Sequence, residues 1–179
     1  MKKALILFLI PLSFAACTGN STNTPAPSPS NDSAVAAAVT LPYTATYSSS
    51  FVPGKASDVA TVLESYKAWE TNDMKAMRAT FGDSILMIFS SGFVFNSTAD
   101  SMIIMASKYR DSLSKVQLSF YAWIPNHSVD KNEDWVSVWY KEIDTYKTGK
   151  VDSLIYQDDN RLKDGKIVWV SSHSQKLKK

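Results

Sequence analysis

The stretch LKDGKI at residues 162–167 decides the architecture of this chain. Its central dipeptide, Asp164-Gly165, is typical of the two-residue type I′ turn that joins two antiparallel strands. The segments on either side, residues 151–163 and 166–175, are predicted as those strands. The stretch therefore predicts a β-hairpin that closes the folded part of the chain.

Working back from this hairpin, further strands precede it. Thr148-Gly149 separates residues 151–163 from a predicted strand near residues 135–147. Apolar residues then alternate with polar ones between Val116 and Ile124, the period of a half-buried strand. The second half of the chain is thus predicted as a meander of antiparallel strands.

The first half of the folded region is predicted to be mainly helical. Ser57 can cap a helix whose apolar residues follow a period of 3.6 up to Trp69, and a second short helix follows and stops at Gly82. Short strands are predicted at residues 85–89 and 93–95, before a third helix that starts at the capping box of Ser97 and Asp100. Helices followed by a meander indicate the α+β class.

This order of elements resembles the nuclear transport factor 2-like superfamily, especially its polyketide-cyclase-like (SnoaL-like) and ketosteroid-isomerase-like branches. The sequence segments that carry this resemblance are YKAWETND at residues 66–73, FGDS at residues 81–84 and the DGKI turn at residues 164–167. The resemblance implies a cone in which the curled sheet wraps round the helices and leaves an apolar pocket. It also implies a homodimer that forms through the outer face of the sheet.

The N-terminus has the pattern of an export signal. Lys2 and Lys3 precede a mostly apolar run, Ala4–Ala16, that is too short to span a bilayer. Residues 14–17, Phe-Ala-Ala-Cys, resemble a lipobox, so we expect residues 1–16 to be removed and Cys17 to be lipidated. This predicts anchoring to the lipid bilayer of a bacterial cell envelope, and Thr18 favours the outer membrane. The alternative is an ordinary signal peptide that leaves Cys17 free.

Residues 17–50 are predicted as a flexible tether, because Ser, Thr, Asn, Pro and Ala dominate them and they contain little apolar surface to bury. Residues 51–179 are predicted as the α+β domain. The aromatic residues between Leu41 and Phe51 could instead dock on this domain, and the sequence leaves that alternative open.

Two-residue loops without bulges would fix which side chains share the pocket face of the sheet. Asp158 would then face Ser171 across one hairpin and lie beside Trp139 across the other, while Asn160 would face Trp169 and Tyr156 would face His173. With this pairing, alternate side chains of the three strands share the concave face. They are Trp135, Trp139, Leu154, Tyr156, Asp158, Asn160, Leu162, Ile167, Trp169, Ser171 and His173.

One hypothesis is that Asp158 on that face acts as a general base in an enzyme, with Tyr156 or His173 as the proton donor. The predicted ligand pocket is completed by residues from the sheet and the first helix: Tyr66, Trp69, Trp135, Trp139, Asn160, Trp169 and Ser171. The alternative places Asp158 and Asn160 at a wet end of the sheet and His173 on the surface, and a one-residue bulge would move such residues outward.

Composition and motifs exclude several classes of function. Apolar residues make up 45% and charged residues 20% of the chain, as expected for a folded protein. No basic run interleaved with aromatic residues occurs, which argues against nucleic acid as a partner. Two separated histidines and one cysteine argue against a metal site, and the sequence has no nucleophile elbow, phosphate loop or dinucleotide fingerprint, so no cofactor is expected.

The sequence therefore predicts an envelope lipoprotein whose domain binds a small apolar or amphipathic molecule or a protein partner. A cyclase-type or isomerase-type enzyme that uses Asp158 is the second possibility. A structural domain that serves only for dimerisation is the third.

Overall fold

A computed structural model describes residues 41–176 of the chain. Cys17, the predicted leader and most of the predicted tether lie outside these residues. Within them the elements run in the order β1 (Phe51–Pro53), α1 (Ala56–Thr71), α2 (Met74–Thr80), β2 (Phe81–Ile88), β3 (Val94–Thr98), α3 (Ala99–Arg110), β4 (Leu113–Ser128), β5 (Glu133–Tyr146), β6 (Val151–Lys163) and β7 (Lys166–Gln175).

The strands form one curled seven-stranded sheet in the order β1-β4-β5-β6-β7-β2-β3. Strands β4 to β7 are the predicted antiparallel meander, whereas β2 pairs with β7 in parallel, which makes the sheet mixed. The three helices pack on one side of it, so the predicted α+β class is confirmed.

The turn at Asp164-Gly165 is the one that the sequence predicts. Both residues have positive φ, 52° and 70°, and Lys163 pairs directly with Lys166. Two consecutive positive φ values are the mark of a type I′ turn, which Asp-Gly tolerates well.

The β5–β6 connection differs from the prediction by one residue. The Tyr146 N–H donates to the Lys150 carbonyl at 2.8 Å, and Gly149 has a φ of 84°, so the loop has three residues, with glycine in the left-handed position. Val138 therefore lies opposite Asp158, where Trp139 was expected. Because side chains alternate along a strand, this single residue turns every β5 side chain to the other face.

A bulge also changes the β6–β7 pairing. Leu162 pairs with Ile167 as predicted, but the register then shifts, and Asp158 lies opposite Ser172 and not Ser171. The β7 side chains beyond the bulge are thus reversed relative to the prediction.

The helix ends also differ slightly from the predicted ones. The N-cap of α1 is Lys55, without a side-chain cap, and that of α3 is Thr98, whose hydroxyl accepts from the Ser101 N–H at 3.2 Å. Helix α2 ends at Thr80, short of Gly82, because Phe81 already belongs to β2.

Tyr47 and Ser50 contact the sheet and the loop beside it, which favours the docking alternative for residues 41–51. The Tyr47 hydroxyl donates to Glu133, and the Val129 N–H donates to the Ser50 carbonyl at 2.9 Å. Residues 51–53 then form β1, an edge strand paired with β4 that the sequence did not indicate.

The hydrophobic core lies between the helices and the inner face of the sheet. Its buried members come from most elements: Val62, Phe81, Ile85, Ala99, Met102, Val136, Val138, Tyr140, Leu162, Ile167 and Val170. All of them belong to the compact unit of residues 41–179, so this unit has the core that a domain needs to fold alone. None of the helices in residues 41–176 is both long and apolar enough to cross a bilayer.

Candidate functional site: a cavity under the curled sheet

A cavity of about 490 Å³ opens between the three helices and the inner face of the sheet. One part of its wall is apolar and comes mainly from α2, α3 and β2: Met77, Phe81, Met87, Ile88, Phe89, Phe93, Met102, Met105 and Ala106. The polar groups come mainly from α1 and from strands β5 to β7: Ser65, Tyr66, Trp69, Tyr140, Glu142, Asp144, Tyr156, Asp158, Asn160 and Ser172. Such a cavity has the usual composition of a small-molecule site.

Asp158 is the centre of the first polar cluster. It is 5% exposed, and its Oδ2 accepts hydrogen bonds from the hydroxyls of Tyr66 at 2.6 Å and Tyr140 at 2.9 Å. Its Oδ1 accepts from the Ser172 hydroxyl at 2.6 Å. The cluster joins α1 to three neighbouring sheet positions, so the carboxyl group is held in one orientation.

Two opposing effects act on the Asp158 carboxyl group. Burial raises its pKa above the ordinary value, whereas the three hydroxyl donors stabilise the ionised form and lower the pKa. Burial also raises the pKa of Tyr66 and Tyr140 well above 10, and the nearby Asp158 charge acts in the same direction. Both phenols therefore stay protonated and remain donors.

Two neighbours of Asp158 complete this end of the cavity. Asn160 is 2% exposed, and its Nδ2 donates to the Val136 carbonyl at 3.1 Å. The Tyr156 ring stacks on Tyr140 at 5.2 Å between ring centroids, and burial raises the pKa of Tyr156, which keeps its hydroxyl protonated.

A second polar cluster lies further along β5. The Trp69 indole N–H donates to Glu142 Oε1 at 3.1 Å, and the Tyr109 hydroxyl donates to Asp144 Oδ2 at 3.1 Å. Burial raises the pKa of Glu142 to about 8, and the neighbouring Asp144 charge adds to this effect. Burial raises the pKa of Asp144 as well, so the two carboxyl groups favour holding a proton between them near neutral pH.

The structure brings together some of the residues that the sequence proposed for the pocket. Asp158, Tyr156 and Asn160 line the cavity from β6, and Tyr66 and Trp69 line it from α1. The alternative of a wet sheet end for Asp158 and Asn160 is wrong, since both are buried.

The other proposed residues lie on the opposite face of the sheet, for the two register reasons given above. Trp135 and Trp139 are turned outward because the β5–β6 loop has three residues. Trp169, Ser171 and His173 are turned outward by the β7 bulge. His173 is exposed and lies opposite Gln157, so it cannot donate a proton to a molecule in the cavity.

On the outer face these aromatic residues pack with each other. Trp135 and Trp169 meet edge to face at 5.2 Å between ring centroids, the Arg161 guanidinium lies 5.9 Å from the Trp135 ring centroid, and the Tyr47 ring meets Trp135 at 6.2 Å. They therefore help to hold the segment before β1 against the sheet.

Sequence reasoning missed the β5 and β7 residues that replace them in the cavity: Tyr140, Glu142, Asp144 and Ser172. One signal for β5 was available, because Lys147-Thr148-Gly149 fits a three-residue hairpin loop with glycine last as well as Thr148-Gly149 fits a two-residue loop. The β7 bulge left no such signal. Within residues 41–176 no three His, Cys, Asp or Glu side chains are grouped as metal ligands would be.

Comparison with known proteins gives a fold. No family model matches the sequence, and no curated protein matches it. An NTF2-like protein of unknown function from Exiguobacterium sp. 255-15 is similar with a TM-score of 0.55 at 18% identity, over 65% of this chain and 99% of that one. The described part of this chain has the NTF2-like fold.

Two other solved structures that are similar to this chain have different descriptions. An LEH-like epoxide hydrolase from M. tuberculosis has a TM-score of 0.56 at 9% identity, over 66% of this chain and 83% of that one. TerC, co-crystallised with polyporic acid, has a TM-score of 0.55 at 13% identity, over 67% and 92% of the two chains. At these identities the NTF2-like fold is shared, and the function must be argued from the cavity itself.

Proposed function

We propose that the NTF2-like domain binds a small, mostly apolar molecule that carries a polar group. The observation that carries this proposal is the cavity of about 490 Å³, in which methionine and phenylalanine side chains face polar groups from β5, β6 and β7. Apolar walls supply the affinity, while a few fixed polar groups set the orientation of the ligand.

The apolar wall favours a ligand of flexible or irregular shape. Met77, Met87, Met102 and Met105 all line it. A methionine side chain has several rotatable bonds and a polarisable sulfur, so it adapts to different apolar surfaces.

Binding can be measured with Nile red, a neutral dye whose fluorescence rises in apolar surroundings. Residues 18–179 should bind it, and Ala106→Trp should abolish the fluorescence increase, because this position on α3 lines the cavity. Ile104→Trp is the matched control, since Ile104 lies on the same helix and is 59% exposed. Equal dye binding by the two variants would contradict the proposal.

A second candidate is an enzyme of the cyclase or isomerase type. It is favoured by the burial of Asp158, which raises the pKa of a carboxyl group, together with the protonated Tyr156 phenol in the same cavity. Against it, three hydroxyls already bond the Asp158 oxygens, which leaves little room for accepting a substrate proton.

Turnover and binding separate the two candidates. On a panel of carbonyl compounds, Asp158→Asn should abolish any turnover that uses this carboxylate, while Nile red binding should survive the change. Turnover that Asp158→Asn leaves intact would rule out this base, and no turnover on the panel would leave binding as the preferred function.

We also propose that the chain is an envelope lipoprotein, which the sequence of residues 1–17 supports. Two lysines, an apolar run and the lipobox-like Phe14-Ala15-Ala16-Cys17 predict removal of the leader and acylation of Cys17. Radiolabelled palmitate should enter the wild-type protein and not Cys17→Ser, and fractionation should place the wild type in the outer membrane. Equal labelling or an unchanged location of the variant would overturn the anchor.

The predicted homodimer through the outer sheet face stays a prediction. Trp135, Trp139 and Trp169 on that face are only partly buried in one chain, so they leave apolar surface for a partner copy. Sedimentation of residues 18–179 checks it: Trp139→Lys should shift a dimer to a monomer, and a wild type that is monomeric at all concentrations would exclude the dimer.

A further inference from the structure

The ionisable groups that line the cavity are all acidic. They are the carboxyl groups of Glu142, Asp144 and Asp158 and the phenols of Tyr66, Tyr109, Tyr140 and Tyr156. Among the lining residues in the described part of the chain there is no lysine, arginine or histidine. An anionic ligand would therefore meet unfavourable charge, whereas a cationic group would meet favourable charge.

Asp144 offers a buried acceptor to such a group. Asp144 is 9% exposed, its Oδ2 is bonded by the Tyr109 hydroxyl, and the only donor that the described residues offer to the rest of the carboxylate is the proton shared with Glu142. Two neighbouring buried carboxyl groups are costly to ionise together, so a cationic donor that reaches them gains more than it would at the surface.

Arg110, whose charge acts on Asp144, is already engaged by other groups. The Arg110 guanidinium donates to the backbone carbonyls of Trp69, Leu113 and Glu70 at 3.2, 3.3 and 3.2 Å. Its charge lowers the pKa of Asp144 through space, but burial acts more strongly and raises that pKa.

Two lysines lie near this end of the strand, but within residues 41–176 neither forms an ion pair with Asp144. Asp152 lies opposite Asp144 on β6 and adds a negative charge, although Lys150 and Lys176 pair with it. The Tyr146 hydroxyl hydrogen-bonds to that of Tyr109 at 3.0 Å.

Aromatic rings surround the same end of the cavity. Trp69 and Tyr109, which both line the cavity, are stacked with 6.1 Å between ring centroids and 7° between planes. Desolvated aromatic rings attract cations through their quadrupole.

We infer that the ligand of this cavity is an amphipathic protonated amine, whose ammonium group donates to Asp144 and Glu142 while its apolar body lies against the methionine-rich wall. This inference rests on the proposed binding function and names the chemical class of the ligand. The ammonium group would replace the proton that Glu142 and Asp144 share, and it would supply the positive charge that the lining residues lack.

Displacement of Nile red by three probes with the same chain length tests the charge. Octylamine should displace the dye from residues 18–179 at a concentration at least about tenfold lower than 1-octanol, and octanoate should be the weakest. Equal displacement by octylamine and 1-octanol would overturn the inference and leave the proposed function standing. A wild-type domain that binds no dye would overturn both.

Two isosteric variants test the position. Asp144→Asn should bring the octylamine-to-octanol ratio close to one while dye binding persists, because only the charge and one acceptor are lost. Asp159→Asn makes the same chemical change on the outer face, where Asp159 accepts from Ser137, and should keep the ratio. A ratio that Asp144→Asn leaves unchanged would overturn the assignment of the ammonium group to this end.

Proton release gives an independent readout. At pH 7 the Glu142 carboxyl group, with a pKa of about 8, is mostly protonated, and an arriving ammonium group should expel that proton. Calorimetry of octylamine binding in buffers of different ionisation enthalpy should show a release of up to about one proton per ligand, which Glu142→Gln abolishes. An enthalpy that does not depend on the buffer would contradict this role of Glu142.

Discussion

The stability of the domain should fall as pH rises, and Glu142 should cause much of the fall. Burial, together with the charge of Asp144, places the pKa of this carboxyl group at about 8 in the folded chain, against an ordinary value of 4.5. The folded state therefore holds a proton that the unfolded state has lost over this interval. By linkage, the stabilisation is fully present below pH 4.5 and is lost as pH rises through 8.

The size of the effect follows from the pKa difference. Each unit of difference is worth about 1.4 kcal/mol, so the full difference sets an upper limit of roughly 5 kcal/mol. Water can enter the cavity when this carboxyl group ionises, which makes the realised loss smaller than this limit. We expect about 2–3 kcal/mol of unfolding free energy to be lost between pH 5.5 and 8.5 through this group.

Urea unfolding of residues 18–179, followed by tryptophan fluorescence at pH 5.5, 7.0 and 8.5, measures this loss. Glu142→Gln keeps an acceptor for Trp69 but cannot titrate, so its stability should depend less on pH by about 2 kcal/mol over the same range. Glu64→Gln makes the same change at an exposed position on α1 and should follow the wild type. Parallel stability curves for wild type and Glu142→Gln would refute the reasoning.

Three further changes test the packing around the site. Tyr66→Phe keeps the ring but removes a donor from the buried Asp158 carboxylate, and it should cost about 1–3 kcal/mol in urea unfolding. Gly149→Ala places a side chain at a φ of 84° and should cost about 1 kcal/mol in urea unfolding, and an unchanged unfolding free energy would contradict the strained position. Gly54→Ala would bring a Cβ to 2.8 Å from the Asn126 backbone nitrogen, so it should release β1 and speed limited proteolysis before α1, and an unchanged cleavage rate would contradict this contact.

The local features of the fold were predictable because neighbouring residues decide them. The Asp164-Gly165 turn, the strand at residues 151–163 and the strand at residues 166–175 are where the sequence placed them. The short edge strand at residues 51–53 was not, because its partner in β4 lies more than 70 positions away.

The candidate site was predictable only on α1 and β6, whose side chains point to the face that the sequence analysis assigned to them. Tyr66 and Trp69 follow the helical period of α1, and Asp158 lies on the face of β6 that its alternation predicts. The sequence therefore assigned these residues to the pocket, and in the structure they line the cavity. Glu142 and Asp144 escaped notice because the β5–β6 loop has one residue more than was assumed.

The sequence by itself determined the order of the helices and strands after β1, the closing hairpin and the amphipathic face of the first helix. Only the tertiary structure decided which face of β5 and β7 lines the cavity, and hence that carboxyl groups occupy it where tryptophans were expected. The physical reason is the two-residue period of a strand. One added loop residue or one bulge exchanges the buried and exposed faces of a strand. The pattern of apolar and polar residues along that strand does not reveal such a change in register.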